Sequence, residues 1–196
     1  SGHPHVRVDW TVTRAGDPPR YFEFLDQRTF GGMQICDRDQ DGLPVAVSRI
    51  ARDPFDPLFD VDRFSEMLMK RSIEVKKGLL DQHLISGIGN IYADECLWRV
   101  GLDGRTPCNR LDRSTAVEIV TTVTRVMREA FDVGGTSFDA LYVNVNGESG
   151  YFSRSLAVYG REGRPCDRCG DPITRSKFMN RSSFHCTTCQ PPWSLP

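Results

Sequence analysis

Apolar and polar positions alternate at the start of the chain. HVRVDWTV (5–12) and RYFEFLD (20–26) place apolar side chains at every second position, the period of a strand with one face covered. TRAGDPP between them carries the Gly and Pro of a turn, so residues 5–35 predict an antiparallel hairpin with further extended chain. A stretch rich in Asp, Gly and Pro (37–60) reads as a linker. The period then becomes helical. DVDRFSEMLMKR puts Phe64, Met67, Leu68 and Arg71 on one face, with Asp62 as the expected N-cap. SIEVKKGLLDQHL continues with Ile73, Lys76, Leu79, Leu80 and His83 at helical spacing, interrupted by Gly78. A third helix opens at Gly89 or Asn90, aligns Ile91, Asp94, Glu95 and Trp98, and stops at Gly101. A fourth, longer one is capped by Asp112 or Ser114 and ends at Gly134 and Gly135. Residues 135–155, rich in Asn, Gly and Ser, predict a loop leading into a cysteine-rich tail.

Composition bounds the class. The 196 residues are 39% hydrophobic and 26% charged, ordinary for a globular chain, and no apolar run approaches the ~20 residues that span a bilayer. No secretion signal opens the sequence. The net charge of −1 argues against bulk coating of polyanions. Its distribution says more. Residues 1–60 set seven arginines against ten acids, whereas residues 161–185 set six basic side chains against three acidic ones. Such a focused basic surface fits a nucleic-acid partner held at one face, although an ordinary solvated surface has the same composition.

The tail changes the picture further. Cys166-x2-Cys169 and Cys186-x2-Cys189, separated by a sixteen-residue arm, have the spacing of a four-thiolate structural zinc site on a hairpin. Two disulfides are the competing reading, disfavoured by the three further cysteines Cys36, Cys96 and Cys108. Four protein ligands leave no open position, so the zinc is structural. The arm carries Arg175, Lys177 and Arg181, and guanidinium groups can fork onto phosphate oxygens.

SGIGN (86–90) is a glycine turn opening a helix, where free N–H groups and the helix dipole suit an anion. It is neither a dinucleotide fingerprint nor a Walker loop: no strand precedes it, Tyr92 stands where the third glycine would be, and no G-K-[ST] follows. A tight αα corner and a helix-turn-helix approach to a nucleic-acid backbone both remain open at this stage.

LLDQHLISGIGNIYADECLWRVG, then GGTSFDALYVNVNGESGYFSRSLAVYGREGRPC, then MNRSSF between the knuckles, resemble formamidopyrimidine-DNA glycosylase and its endonuclease VIII relatives. FLDQRTFGG and HVRVDW resemble late strands of that family's N-terminal β-sandwich, and the glycine-rich loop is closer to the formamidopyrimidine branch. The resemblance implies an α+β fold: a β-sandwich remnant in 1–45, a helix-two-turn-helix DNA-binding domain in 46–150 and a zinc-binding β-hairpin in 151–196. It implies a bifunctional base-excision enzyme that flips out an oxidised purine such as 8-oxoguanine or a formamidopyrimidine, cuts the glycosidic bond and nicks the abasic site.

By motif position, Gly89, Asn90 and Arg181 would clamp phosphates. Lys76 would sit near the same phosphates or the lesion. Arg28 would face the orphaned base and Phe30 wedge the stack. Thr29 stands where the family more often has a second arginine. Residues 135–155 would cover the extruded purine. One structural Zn2+, double-stranded DNA bearing an oxidised purine or abasic site, a monomeric state and a bacterial cytoplasmic location complete the expectation, with no membrane partner.

The family's attacking proline, its neighbouring glutamate and its catalytic lysine have no counterpart here, and Pro4 is no substitute because its nitrogen lies in a peptide bond. The chain is therefore expected to bind damaged DNA without cutting it, as a fragment of a longer enzyme. The alternative is a naturally shortened, non-catalytic DNA-binding zinc module.

Overall fold

The computed structural model describes residues 2–27, 29–133 and 155–193. They fall into two compact units, 1–46 and 47–196.

In the first unit, β1 (Val6–Val12) pairs antiparallel with β2 (Arg20–Leu25), setting Val8 opposite Phe24 and Trp10 opposite Phe22. The alternation makes one side of this hairpin apolar, and the Trp10 and Phe22 rings stack at 5.5 Å. Two strands cannot cover their own face, so Val8, Trp10, Val12 and Phe22 all remain exposed. After β2 the Asp26 carboxylate accepts the Thr29 and Gly31 amides at 2.8 and 2.6 Å, forcing Thr29 to φ 56°. Phe30 sits between these two anchors and is 88% exposed. Arg28 lies outside the described residues.

The second unit packs four helices around Leu68, Val75, Leu79, Ile85, Ile119 and Val123. α1 (Val61–Met69) turns Phe64 and Leu68 inward and leaves Met67 exposed. Its N-cap is Asp60 rather than the expected Asp62: the Asp60 carboxylate accepts the Arg63 amide at 2.9 Å. Asp62, already inside the first turn, pairs with Arg113 instead. α2 is only Val75–Leu80, shorter than its spacing predicts. Asp81 ends it by accepting the His83 amide, a local alternative to the helical hydrogen bond, so His83 falls outside the helix and is exposed.

α3 (Asn90–Val100) starts after Gly89 and stops at Gly101, whose φ of 79° ends the helix in the left-handed conformation. α4 (Arg113–Asp132) is capped by Asp112, which accepts the Thr115 amide at 2.7 Å, and Ser114 merely donates to the same carboxylate. Gly134, Gly135 and the expected loop lie outside the described residues, apart from Ser155.

Gly78 sits inside α2 for a packing reason. A Cβ there would lie 2.6 Å from Leu68 Cδ1 and 3.2 Å from Cys108 Sγ, both in fully buried side chains. Gly78→Ala adds about 1 kcal/mol of helix propensity but about 1–3 kcal/mol of overpacking. A net loss of stability is expected, and an increased urea midpoint for this variant would refute the packing argument.

The chain ends in β3 (Thr174–Phe178) and β4 (Arg181–His185), an antiparallel hairpin with Phe178 opposite Arg181. Its two-residue turn holds Met179 at φ 52°. No helix among the described residues is long and apolar enough to cross a membrane.

Candidate nucleic-acid interface and metal centre

α3 organises the second unit's functional groups because it offers a different side chain to its surroundings at each turn. At its N-terminus, Asn90 Nδ2 donates to the Ser182 carbonyl of β4 at 2.8 Å. Arg181, next to Ser182, is exposed and has no carboxylate partner among the described residues. Asn90, Ile91, Arg175, Arg181 and Ser182 line one open depression here. Gly87, Gly89, Asn180 and Arg181 line a second, so the glycine turn and hairpin tip flank Arg181 from both sides. Only Gly87 of these glycines needs positive φ, at 82°. Gly89 is extended and a Cβ on it would meet open space, and the first amides of α3 have no acceptor within the helix.

One turn further, Asp94 accepts Ser183 Oγ and the Phe184 amide, both at 3.0 Å, and pairs with Lys76 at 2.5 Å. Lys76 is only 1% exposed, and its ammonium also faces the Phe178 ring at 4.5 Å. Lys76, expected near the phosphates or the lesion, is enclosed in this ion pair. Burial pushes Lys76 down and Asp94 up in pKa, and their mutual attraction opposes both shifts.

Glu95, fully buried, receives the amides of Ala157, Val158 and Tyr159 at 2.8–3.0 Å and pairs with Arg99, which reaches on to Glu129. Trp98 donates its indole N–H to Cys166 Sγ at 3.4 Å, while Arg168 stacks on its ring and caps the Trp98 and Arg99 carbonyls. At the helix end, Gln190 accepts the Cys186 amide and donates to the Leu102 carbonyl.

These ties carry the four predicted cysteines together. The sulfurs of Cys166, Cys169, Cys186 and Cys189 all lie within 4.8 Å of one another, with Cys166–Cys189 at 3.8 Å and Cys169–Cys186 at 3.4 Å. Four thiolates ~2.3 Å from one tetrahedral ion stand about 3.8 Å apart, so the group could hold a metal ion. Neither pair stands at the ~2.05 Å of a disulfide. Burial raises the Cys166 thiol, but the Arg168 and Cys169 amides and Trp98 outweigh it and bring the pKa down to about 6. Cys189 is pushed up to about 12 by burial and by the other three sulfurs. A divalent cation would remove that conflict. Cys96 and Cys108 are buried in the helical core, away from this group.

Sequence reasoning placed Asn90, Arg181 and the cysteines where the fold brings them together. It did not assign Asp94, Glu95, Trp98, Arg168 or Gln190 to a function. A signal existed in two adjacent acids flanked by Ala93, Cys96 and Leu97, since buried carboxylates demand partners.

The family profile described as "Formamidopyrimidine-DNA glycosylase H2TH domain" matches residues 50–141. A formamidopyrimidine-DNA glycosylase of Thermobifida fusca is 54% identical across 96% of this chain and 66% of its own length. That of Mycolicibacterium smegmatis is 54% identical across 98% and 67%. This chain thus spans about two thirds of the length of these relatives, and 59% of one from Streptomyces coelicolor. The Lactococcus lactis protein in complex with abasic-site DNA superposes with a TM-score of 0.68 at 33% identity, over 74% of this chain and 52% of that one. With these relatives matched along nearly its whole length, the chain belongs to the formamidopyrimidine-DNA glycosylase family.

Proposed function

We propose that this chain is the DNA-holding part of a base-excision repair glycosylase acting on oxidised purines, with 8-oxoguanine and formamidopyrimidines as the lesion class and abasic-site cleavage as the step that follows excision. The observation that carries the reading is the junction at the start of α3, where Asn90 grips β4 beside Arg181, which is exposed and has no carboxylate partner among the described residues. The N-terminal residues of a helix, Asn90 and Ile91, and the Arg181 guanidinium within one depression suit consecutive backbone phosphates. Support comes also from the Lactococcus lactis relative solved with abasic-site DNA and from a second relative solved with DNA carrying carbocyclic 8-oxo-G. The four-cysteine group holds one structural Zn2+, which fixes the ribbon that carries Arg181. Phe30, exposed on its Asp26-pinned loop, and Arg28 are the proposed wedge and orphan-base contacts, and residues 135–155 the cover over the extruded base. The domain assignment is 1–45, 46–150 and 151–196, and the working unit is a monomer on double-stranded DNA in the cytoplasm.

The residues assigned here hold DNA, and none is assigned to bond cleavage. Lys76, an amine that could attack a sugar, is buried in its ion pair. Borohydride reduction on an 8-oxoguanine duplex is expected to give no covalent adduct through Lys76, and an adduct mapped to Lys76 would show that the pair opens on DNA.

Affinity for a duplex bearing an abasic-site analogue tests the clamp. Arg181→Ala and Asn90→Ala are each expected to weaken binding about ten- to hundred-fold, the worth of a hydrogen bond to a charged group. Arg181→Ala should also lower the slope of log K against log salt by about one phosphate's share. Unchanged affinity and slope in both variants would remove the clamp.

A further inference from the structure

We infer that Lys76 and Asp94 are positioning residues, which together hold both strands of the β3–β4 hairpin so that Arg181 stands beside Asn90. This inference rests on the DNA-clamp reading and gives the buried pair a part in it.

Lys76 meets the hairpin next to its turn, and Asp94 meets it further along β4. Lys76 faces the ring of Phe178, the last residue of β3. Asp94 takes the Ser183 hydroxyl with one oxygen and the Phe184 amide with the other, both on β4. Phe178 and Arg181 are partners across the ladder, and only Met179 and Asn180 lie between them. The ammonium thus fixes the strand entering the turn and the carboxylate the strand leaving it. Asn90, four residues before Asp94 on the same face of α3, completes the set through the Ser182 carbonyl.

Each charge needs the other. Asp94 is 2% exposed and Lys76 1%, so an unpaired charge at either position would be expelled or neutralised. A protonated Asp94 would lose an acceptor toward β4. The neighbouring ions have their own partners: Lys77 pairs with Glu74, and Asp103 with Arg105. Lys76 has no other carboxylate among the described residues, and its amine does not reach the surface. A direct phosphate contact from it would require dismantling the pair.

The experiment uses the metal-loaded chain as wild type, Lys76→Met and the charge-free double variant Lys76→Met/Asp94→Asn. It reads affinity for an abasic-analogue duplex over a salt series and amide hydrogen exchange at Ser183 and Phe184 without DNA. Lys76→Met should weaken binding by about ten-fold or more and speed exchange at both amides. In the double variant, the carboxamide oxygen at position 94 can still accept the Phe184 N–H, so affinity and exchange should return most of the way to wild type. The double variant should keep the wild-type salt slope, since no phosphate contact is lost. A double variant as weak as the single one, with a slope lower by ~0.9, would make Lys76 a phosphate ligand and overturn the proposal. Wild-type exchange at Ser183 and Phe184 in Lys76→Met would overturn it as well. Should the wild-type chain fail to bind the duplex, the clamp reading fails, while the exchange data still decide whether the pair holds the hairpin.

Discussion

Stripping the proposed zinc with a strong chelator is expected to release residues 155–193 while α1–α4 keep their helical signal. The apparent binding energy of structural zinc in small peptides is about 10–16 kcal/mol at neutral pH, comparable with a single domain's whole stability. Here the ribbon has other ties, to α3 through Asp94, Glu95 and Trp98 and to Leu102 just beyond it through Gln190, which retain part of the order. Two of those ties end on the metal knuckles themselves: Trp98 on Cys166 Sγ and Gln190 on the Cys186 amide. Without the ion, nothing would bond the four sulfurs to one point, and the two knuckles would be free to separate. The hairpin carrying Arg181 would lose its base, and affinity for abasic-analogue DNA should fall at least about ten-fold. Metal analysis should return one zinc per chain. Unchanged amide protection in β3 and β4, together with unchanged affinity in a verified metal-free sample, would show that the ion is dispensable for the clamp.

Glu95→Ala should be the most destabilising single substitution outside the cysteines. The side chain is fully buried and satisfies three successive amides, 157 to 159, as well as Arg99. Its removal leaves the three amides without their acceptor and takes from the largely buried Arg99 guanidinium one of its two carboxylates, with Glu129 remaining, at a cost of about 3–5 kcal/mol. Glu95→Gln keeps the shape and one acceptor oxygen, so its cost should be smaller and its urea midpoint should fall between the other two. The effect belongs to the join between the helical core and the ribbon, because residues 157–159 lead directly into the first knuckle. A loss under about 1 kcal/mol for Glu95→Ala, the range of an ordinary surface change, would mean that water replaces the carboxylate and that the join is loose.

Element types were legible wherever one period ran unbroken. β1 and β2 follow the alternation, α4 follows its caps and its 3.6-residue stripe, and Gly101 marks the end of α3. Misplacements occurred where a side chain competes with the backbone. Asp60 rather than Asp62 caps α1 because its oxygen reaches the third amide on. Asp81 cuts α2 short because its carboxylate reaches the His83 amide. Each is a choice among neighbouring acids that periodicity does not rank.

For the site, the cysteine spacing carried its own chemistry, and the glycine turn marked where α3 opens. Lys76 did not, since a lysine beside a proposed phosphate clamp looks like a ligand until its burial is known. The sequence by itself determined the four thiols, the turn that opens α3 and the basic hairpin, because each is a local pattern whose chemistry follows from spacing. Only the tertiary structure decided that Asp94, Glu95 and Trp98 dock the ribbon on α3, since their partners lie 62 to 90 residues away. Helical spacing says which side chains share a face. What packs on that face depends on where a distant strand returns, and a buried charge is tolerable only where that strand brings its partner.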